Sequence, residues 1–277
     1  MMLTNEQIQL ASKLNYFCDE RFISGRIVEY DLRAANISML REYGLMNDEL
    51  YRFMLSSNKQ YREEFIGWQI KKEKEESDKS NSIDGSITYK TIYEGIKAAK
   101  LKLFEANNIQ PSEVIRIAND AVYINRHSDL QYTKFSEFVE FKQKMIADTC
   151  IKIFPTLIIF YWTSLDGNMN LEVKGISDQN KLILHQNYML SFIGSVLLTY
   201  ERAGTIDAIH LIQDFYNDYI QRKLPIEFYR ELNGRSLYKV VNYGYFLEDI
   251  DDINIIDISY NGNVIRELWK LLLTKYK

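Results

Sequence analysis

The stretch Val114-Ile115-Arg116-Ile117-Ala118-Asn119-Asp120-Ala121-Val122-Tyr123-Ile124 constrains the fold more than any other. Two β-branched, apolar runs flank a polar pair, which predicts a β-hairpin with an acidic residue at its turn. Such a hairpin cannot stand alone in water and needs further strands or helices against it. Those partners are legible on both sides. Arg26 to Leu32 reads as a short strand on which Ile27, Glu29 and Asp31 share one face. Phe138 to Lys174 alternates β-branched and aromatic segments with turn signals such as Asp166-Gly167, predicting a meander of two to four strands.

Helical spacing fills the rest. Thr4 to Phe22 reads as a helix through Ile8, Leu10, Leu14 and Phe17, with Gly25 beyond it. Ala34 to Tyr43 forms a second, stopped at Gly44. Asn47-Asp48 caps a long helix from Glu49 towards Glu76, whose charged end Lys71 to Glu76 reads as solvated together with Ser77 to Ser82. Ser86 to Ala106, Lys181 to Arg202, Thr205 to Arg222 and Asn263 to Tyr276 are further helices, and Glu227 to Asp257 is ambiguous. The fold class expected is α+β, an antiparallel sheet flanked by helices and followed by a mostly helical C-terminal region.

The chemistry is narrowed by what the chain lacks. No Gly-x-Gly-x-x-Gly, Gly-x-x-x-x-Gly-Lys-Ser/Thr or Gly-x-Ser-x-Gly occurs, and His127, His185 and His210 are scattered, which argues against a zinc hydrolase. Cys18 and Cys150 allow one disulfide at most and read as buried thiols. With 34 basic and 38 acidic side chains the net charge is −4, so nucleic acid would be held by a local groove and not by bulk charge. The greasiest stretch, Ile151 to Trp162, is shorter than the ~18 residues of a membrane helix, and the N-terminus has no basic leader. A cytoplasmic protein without a membrane partner is expected. The acidic patch Glu248, Asp249, Asp251, Asp252 and Asp257 lacks the offsets of a Ca²⁺ loop and reads as a solvated turn.

Two carboxylates stand out. Asp31 ends a strand that leads at once into a helix, and Asp120 sits at the hairpin turn. Should their strands be neighbours, both converge at one sheet edge and can bind two Mg²⁺ (or Mn²⁺) ions about 3.5–4 Å apart. Glu29 is either an outer ligand or a cross-strand partner for a lysine. The competing reading makes both aspartates turn formers and caps.

The order of these segments resembles the palm and thumb of family B DNA polymerases, most closely the protein-primed bacteriophage branch. Asp31-Leu32-Arg33-Ala34-Ala35-Asn36-Ile37 is similar to the first palm motif, an Asp ending a strand before Ser-Leu-Tyr-Pro. Ala118-Asn119-Asp120-Ala121-Val122-Tyr123-Ile124 is similar to the Asp-Thr-Asp-Ser hairpin. Gly85-Ser86-Ile87-Thr88 resembles the start of the helix before it, Lys142-Gln143-Lys144-Met145 the stretch entering the thumb, and Leu171 to Asp178 the strand beyond. The resemblance covers roughly residues 26 to 185. It implies a palm-like body over 1–137, with reduced fingers helices at about 45–85, and a thumb-like region over 138–277.

By that resemblance Asp31 and Asp120 are catalytic and hold metal together with the Leu32 carbonyl. Asn36 stands where the family's Tyr screens the sugar 2′ position, which would weaken discrimination against ribonucleotides. Nucleotide-binding cations are sought at Lys59, Arg62, Lys71 and Lys72, and primer–template contacts at Lys142, Lys144 and Lys174, where lysines give sequence-independent affinity. The partners implied are primer–template nucleic acid, nucleoside triphosphates and a second replication subunit. There are departures. No exonuclease domain precedes the first motif, the fingers motif survives only as Asn81-Ser82-Ile83-Asp84-Gly85 with Ser77 at its Lys position, Ala118 replaces the first hairpin Asp, and Ile146 replaces the Tyr of Lys-x-Tyr. Two other readings stay open: a decayed polymerase module that binds nucleic acid or a replication partner, and an α+β protein with coincidental motifs.

Overall fold

A computed structural model describes residues 2–79, 86–154, 157–174, 183–221, 223 and 265–274. The fold is α+β with antiparallel strands. The chain divides into two compact units, Met1–Asp19 with Gly25–Ala147, and Glu20–Ser24 with Asp148–Lys277. The sequence placed its division earlier, at 137/138. Among the described residues no helix is long and apolar enough to cross a membrane.

The first unit opens with α1 (Asn5–Ala11), whose N-cap Thr4 and third residue Gln7 form a capping box. β1 (Asn15–Phe17), β2 (Phe22–Leu32), β3 (Val114–Ala118), β4 (Ala121–Asn125) and β5 (Phe141–Phe154) follow in the order β1-β3-β4-β2-β5. The expected hairpin is β3–β4, paired Ala118↔Ala121 and Ile117↔Val122. Its second strand lies against β2 with Glu29↔Tyr123 and Asp31↔Ala121 in register. Ile117, Val122, Ile124, Val28 and Leu32 are buried against Leu103 and Phe104 of α5 (Ile87–Asn107). Each such side chain contributes about 1.5–3 kcal/mol on leaving water.

Two sequence expectations are corrected here. Thr4 to Phe22 is not one helix. α1 ends at Ala11, and Asn15–Phe17 pairs with β3 through Tyr16↔Ile117. The helical spacing of Leu14 and Phe17 was coincidental, and an edge partner for β3 satisfies its backbone groups better than a helix end could. The long helix from Glu49 to Glu76 is also two, α3 (Asp48–Ser56) and α4 (Lys59–Lys79). Ser57 is extended, and the Asn58 side chain accepts from the Tyr61 N–H at 2.8 Å, so a polar pair breaks one helix and caps the next.

α2 (Ala35–Glu42) packs on α5. Gly95 makes that approach possible. A Cβ there would lie 2.6 Å from Met39 Sδ and 2.9 Å from Tyr43 Cε2. α4 is tied to α5 by Glu73, which accepts from Ser86 Oγ at 2.7 Å, the Thr88 N–H at 2.9 Å and Thr88 Oγ1 at 2.6 Å. The Lys71 to Glu76 run is helical and largely exposed, as its composition predicts.

In the second unit β5, β6 (Leu157–Thr163) and β7 (Met169–Lys174) form the expected meander. Gly167, at φ +79°, supplies the left-handed residue of the β6–β7 turn. α6 (Ile183–Ala203), α7 (Thr205–Ile220) and a helix over residues 265–274 bury Val196, Leu197, Ile212 and Leu268 with Ile151 and Ile159. Arg21 braces the sheet, its Nη2 donating to the Ile153 carbonyl at 2.6 Å and pairing with Glu267 at 3.1 Å. Cys150 is buried and Cys18 half-buried, and no disulfide joins them. Readings that fall on 81–85, 175–178 and 227–257, the acidic patch included, lie outside the described residues.

Candidate functional site

Two backbone reversals in the first unit carry the singled-out aspartates. β2 delivers Asp31 one residue before its end, opposite Ala121 of β4. The β3–β4 turn delivers Asp120, whose carbonyl accepts from the Leu32 N–H at 3.0 Å. Strand pairing therefore brings together two carboxylates that the sequence could only place at a strand end and a hairpin turn. Both segments bend through non-glycine residues in the left-handed region, Asn119 at φ +53° and Ala34 at φ +45°. Asn tolerates that conformation, whereas for Ala it costs about 1–2 kcal/mol. Strained backbone of this kind concentrates where a site must be held open.

A cavity of about 240 Å³ lies at this junction. Its walls include Asp31, Asp120, Lys144, Lys59, Arg62 and Asn36. Leu32, Ala34 and Glu63 also line it. Lys144 comes from β5, and Lys59 and Arg62 come from the first turn of α4. The Ser57-Asn58 break that splits the helices is what starts α4 at the cavity mouth.

The electrostatics are those of carboxylates crowded together and answered by cations. Burial, and then the charge of Asp31, push the Asp120 carboxyl above its ordinary range, against the pull of Lys144 and Lys59. Lys144 Nζ lies 2.5 Å from Asp31 Oδ2. Burial alone would lower the Lys144 ammonium, but that bond and the charges of Asp31, Glu29 and Asp120 raise it. Glu29 is buried on the same strand face and accepts from Tyr123 Oη at 2.7 Å. It sits behind the site, anchored to β4.

Among the described residues no group of three or more His, Cys, Asp and Glu side chains converges on one point. Of the three carboxylates on the cavity wall Glu63 pairs with Lys59 at 3.5 Å, which leaves Asp31, Asp120 and the Leu32 backbone as the protein donors. Mg²⁺ is commonly bound by one or two carboxylates with substrate phosphates and water completing its shell. The donor set fits a cation that arrives with a phosphorylated ligand and does not fit a cage built from protein alone.

Of the residues nominated from sequence, Asp31, Leu32, Asn36, Lys59, Arg62, Asp120 and Lys144 line this one cavity. Lys71 does not. It lies twelve positions beyond Lys59 on α4, about 18 Å along the axis, is exposed and pairs with Glu75. Lys142 is exposed two residues before Lys144 on β5. Lys174 belongs to the second unit and pairs with Glu172. Sequence reasoning missed the partnership of Lys144 with Asp31, a contact that depends on β5 lying next to β2.

The model of the family described as "Bacteriophage PBS1 gene 130 protein" matches residues 7–274. No curated protein matches the chain.

Proposed function

The chain belongs to the bacteriophage PBS1 gene 130 protein family, and on that premise we propose that it is a compact, template-directed nucleotidyl transferase. The observation that carries this reading is the convergence of Asp31 and Asp120 on a cavity also walled by Lys59, Arg62 and Lys144. Acidic and basic groups sharing one small cavity match a metal-bound triphosphate, whose own charges are of both signs. The order of segments, which resembles that of family B DNA polymerases, points the same way.

In the reaction proposed, a primer 3′-hydroxyl oxygen attacks the α-phosphorus of a nucleoside triphosphate. The bond from that phosphorus to the bridging oxygen breaks, pyrophosphate leaves, and the hydroxyl proton passes to solvent. Mg²⁺ or Mn²⁺, when bound, supplies charge neutralisation at the phosphates and eases loss of the hydroxyl proton. Asp31, Asp120 and the Leu32 carbonyl would hold it. Lys59 and Arg62 would neutralise and orient the phosphates, with Arg62 braced by its own bond to the Ser57 carbonyl at 3.2 Å. Asn36, on the first turn of α2, would face the sugar. Lys142 and Lys144 would meet the primer–template backbone. The setting proposed is the cytoplasm of the infected host, with a replication subunit as partner.

Primer extension on a labelled hairpin template with Mg²⁺ or Mn²⁺ tests this, with dNTPs and rNTPs offered separately. Extension by the wild type and none by Asp31→Ala/Asp120→Ala is expected, and the sugar preference reads the role given to Asn36. Absence of extension under every condition refutes the transferase. A second reading, a decayed module that binds nucleic acid, is favoured by the Lys144–Asp31 pair, since a lysine there already answers one of the two carboxylates. That reading predicts nucleic-acid binding indifferent to both aspartate substitutions and to Mg²⁺.

A further inference from the structure

α5 carries a lysine whose entire side chain is out of solvent, Lys100 at 0% exposure. Its Nζ donates to the Lys13 carbonyl at 2.5 Å. Burial drives the Lys100 ammonium down to about 8, while the charge of Asp120 works to keep it protonated. A Leu or Met would fill the same interior without desolvating a charge. Packing alone does not explain a cation at this place.

The surrounding backbone suggests a reason. Lys13 and Leu14 connect α1 to β1, and the carbonyl next to the one Lys100 grips, that of Leu14, accepts from the Asn119 N–H at 2.5 Å. Asn119 is the left-handed residue immediately before Asp120. On its other side the turn is tied to β2, where the Leu32 N–H donates to the Asp120 carbonyl. The Asp120 turn is therefore clamped between β2 and a two-residue segment held by Lys100.

We propose that Lys100 is a positioning residue for Asp120, clamping the Lys13–Leu14 segment against the β3–β4 turn and setting a positive charge behind a carboxylate that must share space with Asp31. Lys144 answers Asp31 from the cavity side by direct contact. Lys100 answers Asp120 from the interior, through the backbone. The inference rests on the reading of the cavity as a metal and nucleotide site.

The test is Mn²⁺ binding to the full chain without nucleotide, read from the paramagnetic resonance of the free ion, for the wild type, Lys100→Met and Lys100→Gln. Thermal melts run beside it to separate placement from stability. Positioning groups of this kind govern roughly 10–100-fold in metal affinity. A loss of that size is expected in folded Lys100→Met, with Lys100→Gln, which keeps a donor for Lys13 but no charge, falling between. Wild-type affinity in folded Lys100→Met overturns the inference alone, whereas a wild type that binds no Mn²⁺ overturns the reading of the cavity and this inference with it. A measurement on the wild type guards against variants that do not fold. The ¹⁵N resonance of the buried Lys100 ammonium is expected to shift when Mg²⁺ is added, and a resonance that does not move overturns the coupling.

Discussion

Asp120→Asn isolates the charge at the centre of the site, because it keeps the shape of the side chain and leaves the backbone bond from the Leu32 N–H in place. In the folded protein burial and the neighbouring charge of Asp31 raise the Asp120 carboxyl, and the attraction of Lys144 and Lys59 does not cancel them. A carboxyl whose folded-state pKa lies above its unfolded value holds its proton more tightly when folded. Its ionised form therefore destabilises the fold at neutral pH, and the penalty shrinks as pH falls below the folded value and is gone below the unfolded one. Removing the charge should make the protein more stable. Relief of a functional-site strain of this kind is worth about 0.5–2 kcal/mol. For a chain of this size each kcal/mol moves Tm by roughly 2–4 °C. The assay is calorimetric unfolding in EDTA, near neutral pH and again at a pH where aspartates protonate, with Mn²⁺ binding measured on the same samples. The expected signature is a higher Tm at neutral pH, a gain that shrinks on acidification, and lost metal binding. A lower Tm at neutral pH, or a gain independent of pH, would show that Asp120 is not crowded by Asp31 and would refute the reasoning.

Two further perturbations probe the same corner. Lys144→Met removes the cation bonded to Asp31, and because the lysine is more than half exposed the pair is worth only about 0.2–1 kcal/mol after screening. Tm should fall slightly in EDTA and recover with Mg²⁺; an EDTA melt identical to the wild type would mean that the pair stabilises nothing. Ala34→Gly removes the cost of a left-handed alanine, about 1–2 kcal/mol, set against about 0.5–1 kcal/mol of added chain entropy. A small rise in denaturation midpoint is expected, and a clear fall would show that the Ala34 methyl packs usefully and is not merely tolerated.

Local periodicity is written in consecutive residues, and what depends on it was legible. The β3–β4 hairpin, the Asp120 turn, the end of β2 next to Asp31, the helix α5 and the Asn47 cap of α3 all follow from nearest neighbours. Short or interrupted elements were not. Asn15–Phe17 is too brief to show a period of two, and its apolar residues imitate a helix. The Ser57-Asn58 break is a competition between side chain and backbone that an apolar stripe conceals.

By itself, then, the sequence determined the α+β class, the hairpin, and the two aspartates at a strand end and at the hairpin turn. Only the tertiary structure decided that those aspartates meet, that Lys144 and not a metal-binding side chain lies on Asp31, and that Lys100 is buried behind the turn. The physical reason is that charge pairing across distant segments is set by strand order and register, here β2 between β4 and β5. A lysine on a helix reads the same in sequence whether its ammonium reaches water or a carbonyl in the core.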